Sequence, residues 1–124
     1  MKYGIYYVDW EKEWNGDYKY YIDKISKLGF DILEISCGAF SDYYTKDQEL
    51  IDIGKYAKEK GVTLTAGYGP HFNESLSSSE PNTQKQAISF WKETLRKLKL
   101  MDIHIVGGAL YGYWPVDYSK PFDK

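Results

Sequence analysis

Ile103-His104-Ile105-Val106-Gly107-Gly108-Ala109-Leu110-Tyr111-Gly112-Tyr113-Trp114-Pro115-Val116-Asp117-Tyr118 begins as a short apolar run, the pattern of a buried strand. It breaks at Gly107-Gly108 and opens into aromatic residues that end in Trp114-Pro115. A strand that empties into a glycine- and aromatic-rich loop is how α/β proteins build ligand sites at the carboxyl ends of their strands. The same composition also suits a tight turn with exposed tyrosines, or interface material. Three further stretches of the chain repeat the plan, which favours the first reading.

Gly4 to Val8 reads as the first strand, followed by a loop, Asp9 to Asn15, that carries Trp10 and Trp14. Asp17 is a cap for a helix whose apolar positions Tyr18, Tyr21, Ile22, Ile25 and Leu28 share one face, and Gly29 sits where the helix should stop. Asp31 to Ser36 is the second strand and Cys37 to Tyr44 its loop. Thr45-Lys46-Asp47-Gln48 has the spacing of a capping box, with Leu50, Ile53, Gly54 and Ala57 as the buried face and Gly61 as the stop. Val62 to Ala66 is the third strand, followed by the long loop from Gly67-Tyr68-Gly69-Pro70 through Ser79. Pro81 belongs to the first turn of a third helix whose inner face is Ile88, Trp91, Leu95 and Leu98, and Ile103 to Val106 is the fourth strand.

The order βαβαβαβ predicts a parallel sheet with right-handed crossovers. Loops after strands are long and aromatic, whereas loops after helices are short, as in a (β/α) barrel whose function sits on one rim. Alternation puts Leu33, Ile35, Val62, Leu64 and Ala66 toward the helices. It leaves Ile32, Glu34, Ser36, Thr63, Thr65 and Gly67 facing inward, a polar set suited to a wet site. A complete barrel has eight such units in typically about 250 residues. The 124 residues, with four strands and three helices, therefore look like half of such a barrel.

Hydrophobic residues make up 43% of the chain, enough for a core, and the net charge of −2 argues against nucleic acid as a partner. No apolar run approaches a membrane span. The single cysteine, Cys37, excludes an internal disulfide. With no signal peptide evident, the expectation is a cytoplasmic protein. Cys37 lacks a nearby histidine and reads as inert. His104 should point inward near the start of its strand, as a satisfied core histidine rather than a ligand. His71 has no spaced partner, so metal binding by this chain is not expected. Gly67-Tyr68-Gly69 lacks the lysine and the immediate helix of a phosphate loop.

Met1-Lys2-Tyr3-Gly4-Ile5-Tyr6-Tyr7, Trp10-Glu11-Lys12-Glu13-Trp14 and Lys27-Leu28-Gly29-Phe30-Asp31-Ile32-Leu33-Glu34 resemble the amino-terminal half of the ketose 3-epimerases, the D-psicose (allulose) and D-tagatose 3-epimerases. Leu64-Thr65-Ala66-Gly67-Tyr68-Gly69-Pro70, Leu76-Ser77-Ser78 and Gly107 to Tyr118 continue the resemblance over essentially the whole chain. Val8-Asp9 departs from the family's small residue followed by tyrosine. The resemblance implies that residues 1–124 are the amino-terminal half of a (β/α)8 barrel, an incomplete domain: a parallel half-barrel made of the first four strands and three helices of a xylose-isomerase-like TIM barrel. It implies an isomerase that uses Mn²⁺ or Co²⁺ to invert C3 of free ketohexoses, D-fructose to D-psicose, through a cis-enediolate. The family's metal ligands, including both catalytic glutamates, are expected beyond Lys124, so no catalytic or metal-binding residue is assigned within this chain. Tyr6, Trp14, Gly67, Tyr68, Ala109 and Trp114 would form the wall around the C4–C6 end of the sugar.

Two of those residues have plainer readings: Tyr6 as a core tyrosine, Trp14 as a loop anchor against the first helix. Glu34 lies outside the matched pocket. It could bond a hydroxyl or orient a neighbour, or support a lysine or arginine, and the supporting role is favoured. The leading reading is the front half of an epimerase, inactive alone and homo-oligomeric when complete. The alternatives are another barrel enzyme of the same kind, a sugar isomerase or inosose dehydratase, and a non-catalytic half-barrel that pairs with itself.

Overall fold

The computed structural model describes residues 1–13, 16–40, 44–110 and 112–113. In chain order the elements are β1 (Gly4–Tyr6), α1 (Tyr18–Leu28), β2 (Ile32–Ser36), α2 (Asp47–Glu59), β3 (Thr63–Tyr68), α3 (Pro81–Leu100) and β4 (Val106–Gly108). Short 3₁₀ turns at Tyr7–Trp10, Cys37–Phe40 and Phe72–Glu74 follow the first three strands. All strand pairs are parallel, and the sheet order is β1-β2-β3-β4. Sequential order with a helix at each crossover is one arc of a (β/α) barrel, a half-barrel. No helix among the described residues is long and apolar enough to cross a membrane.

All three helices end in the same way. The amide of the residue one beyond the left-handed position reaches back to a carbonyl in the last turn: Phe30 to Ile25 at 3.0 Å, Val62 to Ala57 at 2.9 Å, Ile103 to Leu98 at 3.0 Å. The left-handed residues are Gly29 (φ 81°), Gly61 (φ 71°) and, in the third unit, Asp102 (φ 62°). This is the Schellman arrangement, which satisfies carbonyls that a helix end otherwise leaves open. Its accompanying apolar pair is buried twice over, as Ala57 with Val62 and Leu98 with Ile103.

That motif explains two departures from the sequence expectation at β4. Ile103 is 5% exposed because it packs back on the helix end rather than starting the strand, so β4 begins at Val106. His104 does not face inward. Its side chain is 77% exposed and its Nε2 lies 2.9 Å from an Asp102 carboxylate oxygen. β1 is shorter than Gly4 to Val8, because Tyr7 and Val8 enter the 3₁₀ turn, and β3 runs two residues further, through Tyr68.

At the helix starts, the Asp17 carboxylate accepts from the amides of Lys19 (3.0 Å) and Tyr20 (3.3 Å). Thr45 is not the cap of α2. The helix begins one residue later, with Lys46 at the cap and the Glu49 carboxylate accepting its amide at 3.1 Å. A charged acceptor there outcompetes the Gln48 amide, and Asp47 and Glu49 both complement the positive helix end. Pro81 occupies the first turn of α3.

The core lies between the sheet and the helices. Ile22 and Ile25 of α1, Leu33 and Ile35 of β2, Leu50 of α2 and Ala66 of β3 are fully buried; each of the larger ones contributes about 1.5–3 kcal/mol relative to exposure. The expected faces of α1 and α2 are otherwise observed, but Leu28 is 58% exposed. α3 differs: Ala87, Trp91, Thr94 and Leu98 are buried, whereas Ile88 and Leu95 are 41% and 54% exposed. The apolar arc of α3 is wider than the arc that the sheet covers. Lys97 donates to the Phe40 carbonyl, and Leu95 lies about 160° around the helix from it. The central helix α2 packs between α1 and α3 and exposes no large apolar side chain, whereas α1 exposes Tyr20 and Leu28. The apolar side chains left open thus belong to the two outer helices.

Candidate functional site

Strand register builds a second face, opposite the helices. One row across the sheet is Tyr6, Glu34 and Thr65; the next, toward the carboxyl ends, is Ser36, Gly67 and Gly107. Successive strand residues alternate faces, so these rows lie opposite Leu33, Ile35, Leu64 and Ala66. The alternation read from the sequence therefore places Glu34, Ser36, Thr65 and Gly67 correctly.

Gly67 has a specific reason to lack a side chain. A Cβ there would stand 2.7 Å from Glu34 Oε1 and 3.2 Å from its Cδ. The Glu34 carboxylate thus lies against the bare backbone of β3. Beside it, a Cβ on Gly107 would meet nothing within 4 Å among the described residues. Gly107 thus leaves a shallow trough at the carboxyl end of the sheet, with the Glu34 carboxylate, lying over Gly67, at its margin.

Tyr6 stands in register with Glu34, and its hydroxyl is hydrogen-bonded to the Ser36 side chain. Burial pushes the Tyr6 phenol above its usual range, and the Glu34 charge adds to the effect despite the opposing Ser36 bond. The Ser36 carbonyl accepts from the buried Tyr18 hydroxyl at 3.1 Å, tying the end of β2 to α1. Cys37, 2% exposed, is held as a neutral thiol: burial, with a smaller contribution from the Glu34 charge, pushes it up to about 12.

The structure brings Tyr6 and Gly67 onto this face. Ala109 follows β4 at the same end of the sheet, half-buried. Tyr68 goes elsewhere. Two residues beyond Ala66, it shares the helix-side parity, and its ring lies 5.5 Å from Phe90 and 5.9 Å from Trp91 of α3. Its hydroxyl donates to Glu74 at 2.5 Å, and burial and that carboxylate together hold the phenol well above its ordinary range. Gly108 is pinned beneath it: φ is 107°, and a Cβ would fall 2.1 Å from the Tyr68 carbonyl oxygen. Trp14 and Trp114 lie outside the described residues.

Sequence reasoning missed Glu74, which also accepts the His71 amide at 2.8 Å and so organises the loop after β3. The only signal was its position three residues after His71. It missed Gly107 as part of the trough because the strand was placed one turn of chain too early. Among the described residues no three of His, Cys, Asp or Glu converge as a metal site.

No family model matches the chain. It is 58% identical over all 124 residues to a D-psicose 3-epimerase of Enterocloster bolteae, of which it covers 41%. It is 48% identical, again over its whole length, to a D-psicose 3-epimerase of Ruminiclostridium cellulolyticum, of which it covers 42%. Among solved structures, a D-psicose 3-epimerase with D-tagatose from Clostridium cellulolyticum H10 superposes on 100% of this chain with a TM-score of 0.93 at 48% identity, the chain covering 42% of it. Along its whole length the chain is homologous to the D-psicose 3-epimerases, an isomerase family, and it spans about two fifths of the length of those relatives.

Proposed function

We propose that this chain forms one flank of the sugar pocket of a ketose 3-epimerase acting on free ketohexoses such as D-fructose and D-psicose. The observation that carries the reading is the unbroken likeness to D-psicose 3-epimerases across all 124 residues. A face with open glycine backbone and polar margins, fit for a hydroxyl-rich ligand, supports it. In this reading Tyr6, Gly67 and Ala109, with Trp14 and Trp114, orient the C4–C6 end of the sugar and exclude water, and Tyr68 supports the rim from behind. The groups that remove and return the C3 proton, and the ligands of the Mn²⁺ or Co²⁺ of the family, belong to the remaining βα units. The metal, when bound there, supplies polarisation of the sugar carbonyl.

The outer helices point the same way. α1 exposes Tyr20 and Leu28, and α3 exposes Ile88 and Leu95, where further helices of a closed ring would pack. A cytoplasmic, homo-oligomeric complete enzyme is part of the proposal.

The test is conversion of D-fructose to D-psicose with added Mn²⁺ or Co²⁺. Residues 1–124 alone are expected to give no turnover. A chimera in which they replace the matching stretch of a D-psicose 3-epimerase is expected to be active. Turnover by the 124-residue chain would refute the placement of the proton-moving groups; a folded, inactive chimera would refute the epimerase assignment.

A further inference from the structure

Glu34 stands out once the candidate site is described. It is half-buried in the middle of β2, flanked in register by Tyr6 and Thr65. Among the described residues its carboxylate has no hydrogen bond and no ion pair. Every other carboxylate that the fold uses is partnered: Asp17 and Glu49 cap helices, Asp23 takes Tyr56 and Lys60, Glu74 takes Tyr68 and His71. The sheet makes room for this carboxylate by keeping position 67 free of any side chain.

The space beside it is also defined. Gly107, the next residue along the Ser36–Gly67 row, leaves its Cβ direction open among the described residues. A small ligand lying over Gly107 therefore meets bare backbone below and, at its edge, the Glu34 carboxylate that covers Gly67. An ionised carboxylate only accepts, so the matching ligand group is a donor. A hydroxyl of a neutral polyol satisfies it without adding charge to the trough.

We infer that Glu34 is a specificity-determining residue: its carboxylate, lying over Gly67, accepts a hydroxyl of the sugar lying over Gly107. The inference rests on the ketose reading above. It replaces the supporting role that the sequence alone suggested, because the described residues offer Glu34 no lysine or arginine.

The test is a titration of the ¹⁵N-labelled 124-residue chain with D-fructose, followed by amide shifts, in the native sequence and in Glu34→Gln. The native chain is expected to show shifts at Gly67 and Gly107. Glu34→Gln is expected to bind about tenfold or more weakly, the loss that follows when a hydrogen bond to a charged group is replaced by one to a neutral amide. Equal affinity in both would overturn the inference and leave the sugar-site reading intact. No sugar-dependent shift in the native chain would overturn both. The same substitution in the active chimera gives a second readout that does not depend on the short chain: KM for D-fructose is expected to rise about tenfold with kcat within about twofold. An unchanged KM there also overturns the inference.

Discussion

Gly54 sits in the middle of α2, where glycine is a poor helix residue and alanine should be better by about 1 kcal/mol. The structure predicts the opposite sign. A Cβ at Gly54 would lie 2.7 Å from the Met101 carbonyl oxygen, 2.8 Å from its Cα and 2.9 Å from its carbonyl carbon. Ordinary carbon contacts are about 3.5–4.0 Å, so α2 and the turn after α3 would have to separate by roughly 0.8 Å. These are backbone atoms, and the turn is braced by the amides of Met101, Asp102 and Ile103 bonding back into α3 at 3.1, 3.1 and 3.0 Å. Overpacking of this kind costs about 1–3 kcal/mol. Three backbone atoms under 3.0 Å put this case in the upper part of that range, about 2–3 kcal/mol, so that, set against the propensity gain, Gly54→Ala should destabilise by about 1–2 kcal/mol. With a urea slope of about 1–3 kcal/mol per molar, the midpoint should fall by roughly 0.5–1 M at unchanged slope. The assay is urea unfolding followed by tryptophan fluorescence and circular dichroism. A matched control is Gly61→Ala, where a Cβ meets nothing within 4 Å and only the left-handed backbone is strained, by about 1–2 kcal/mol. A midpoint for Gly54→Ala equal to or above that of the native chain would refute the close approach of α2 to the turn.

Three more outcomes follow from the same geometry. Asp17→Ala should cost about 1 kcal/mol by leaving the Lys19 and Tyr20 amides uncapped, and Asp17→Asn should recover most of it; unfolding midpoints of the two variants decide this. Asp102→Gly should stabilise by up to about 1 kcal/mol, since Asp102 holds the left-handed position at φ 62° that glycine fills in the other two helix ends; a lower thermal midpoint would contradict it. Cys37 should resist thiol reagents at pH 8 in the folded chain and react fully in denaturant. Its raised pKa also fixes a sign: the neutral thiol's contribution to stability is fully present below about pH 9 and is lost as pH rises toward about 12, because the unfolded chain ionises first. Cys37→Ala should flatten that part of the profile, measured as unfolding midpoint against pH.

Much of this architecture was legible before any coordinates. The helix faces of α1 and α2 follow from spacing alone, because an amphipathic helix against a sheet buries one stripe and the 3.6-residue period reveals it. Strand parity likewise assigned Leu33, Ile35, Leu64 and Ala66 to the helices and Glu34, Ser36, Thr65 and Gly67 to the other face, since period two permits no other arrangement once one side is buried. The glycines after α1 and α2 marked the helix ends.

What required the tertiary structure was anything set by a neighbour distant in sequence. The buried stripe of α3 runs through Ala87 and Thr94 rather than Ile88 and Leu95 because only packing chooses which part of a wide apolar arc meets the sheet. Ile103 looks like strand and behaves as the plug of a helix end, a choice made by its amide bonding to Leu98. The family resemblance puts Tyr68 in the sugar wall, yet the extension of β3 turns it toward Phe90 and Trp91. The contact between Glu34 and the bare backbone of Gly67 joins adjacent strands separated by a helix and two loops. Local periodicity fixes which way a side chain points; which atoms it meets there depends on register and close packing, and these exist only once the strands are laid side by side.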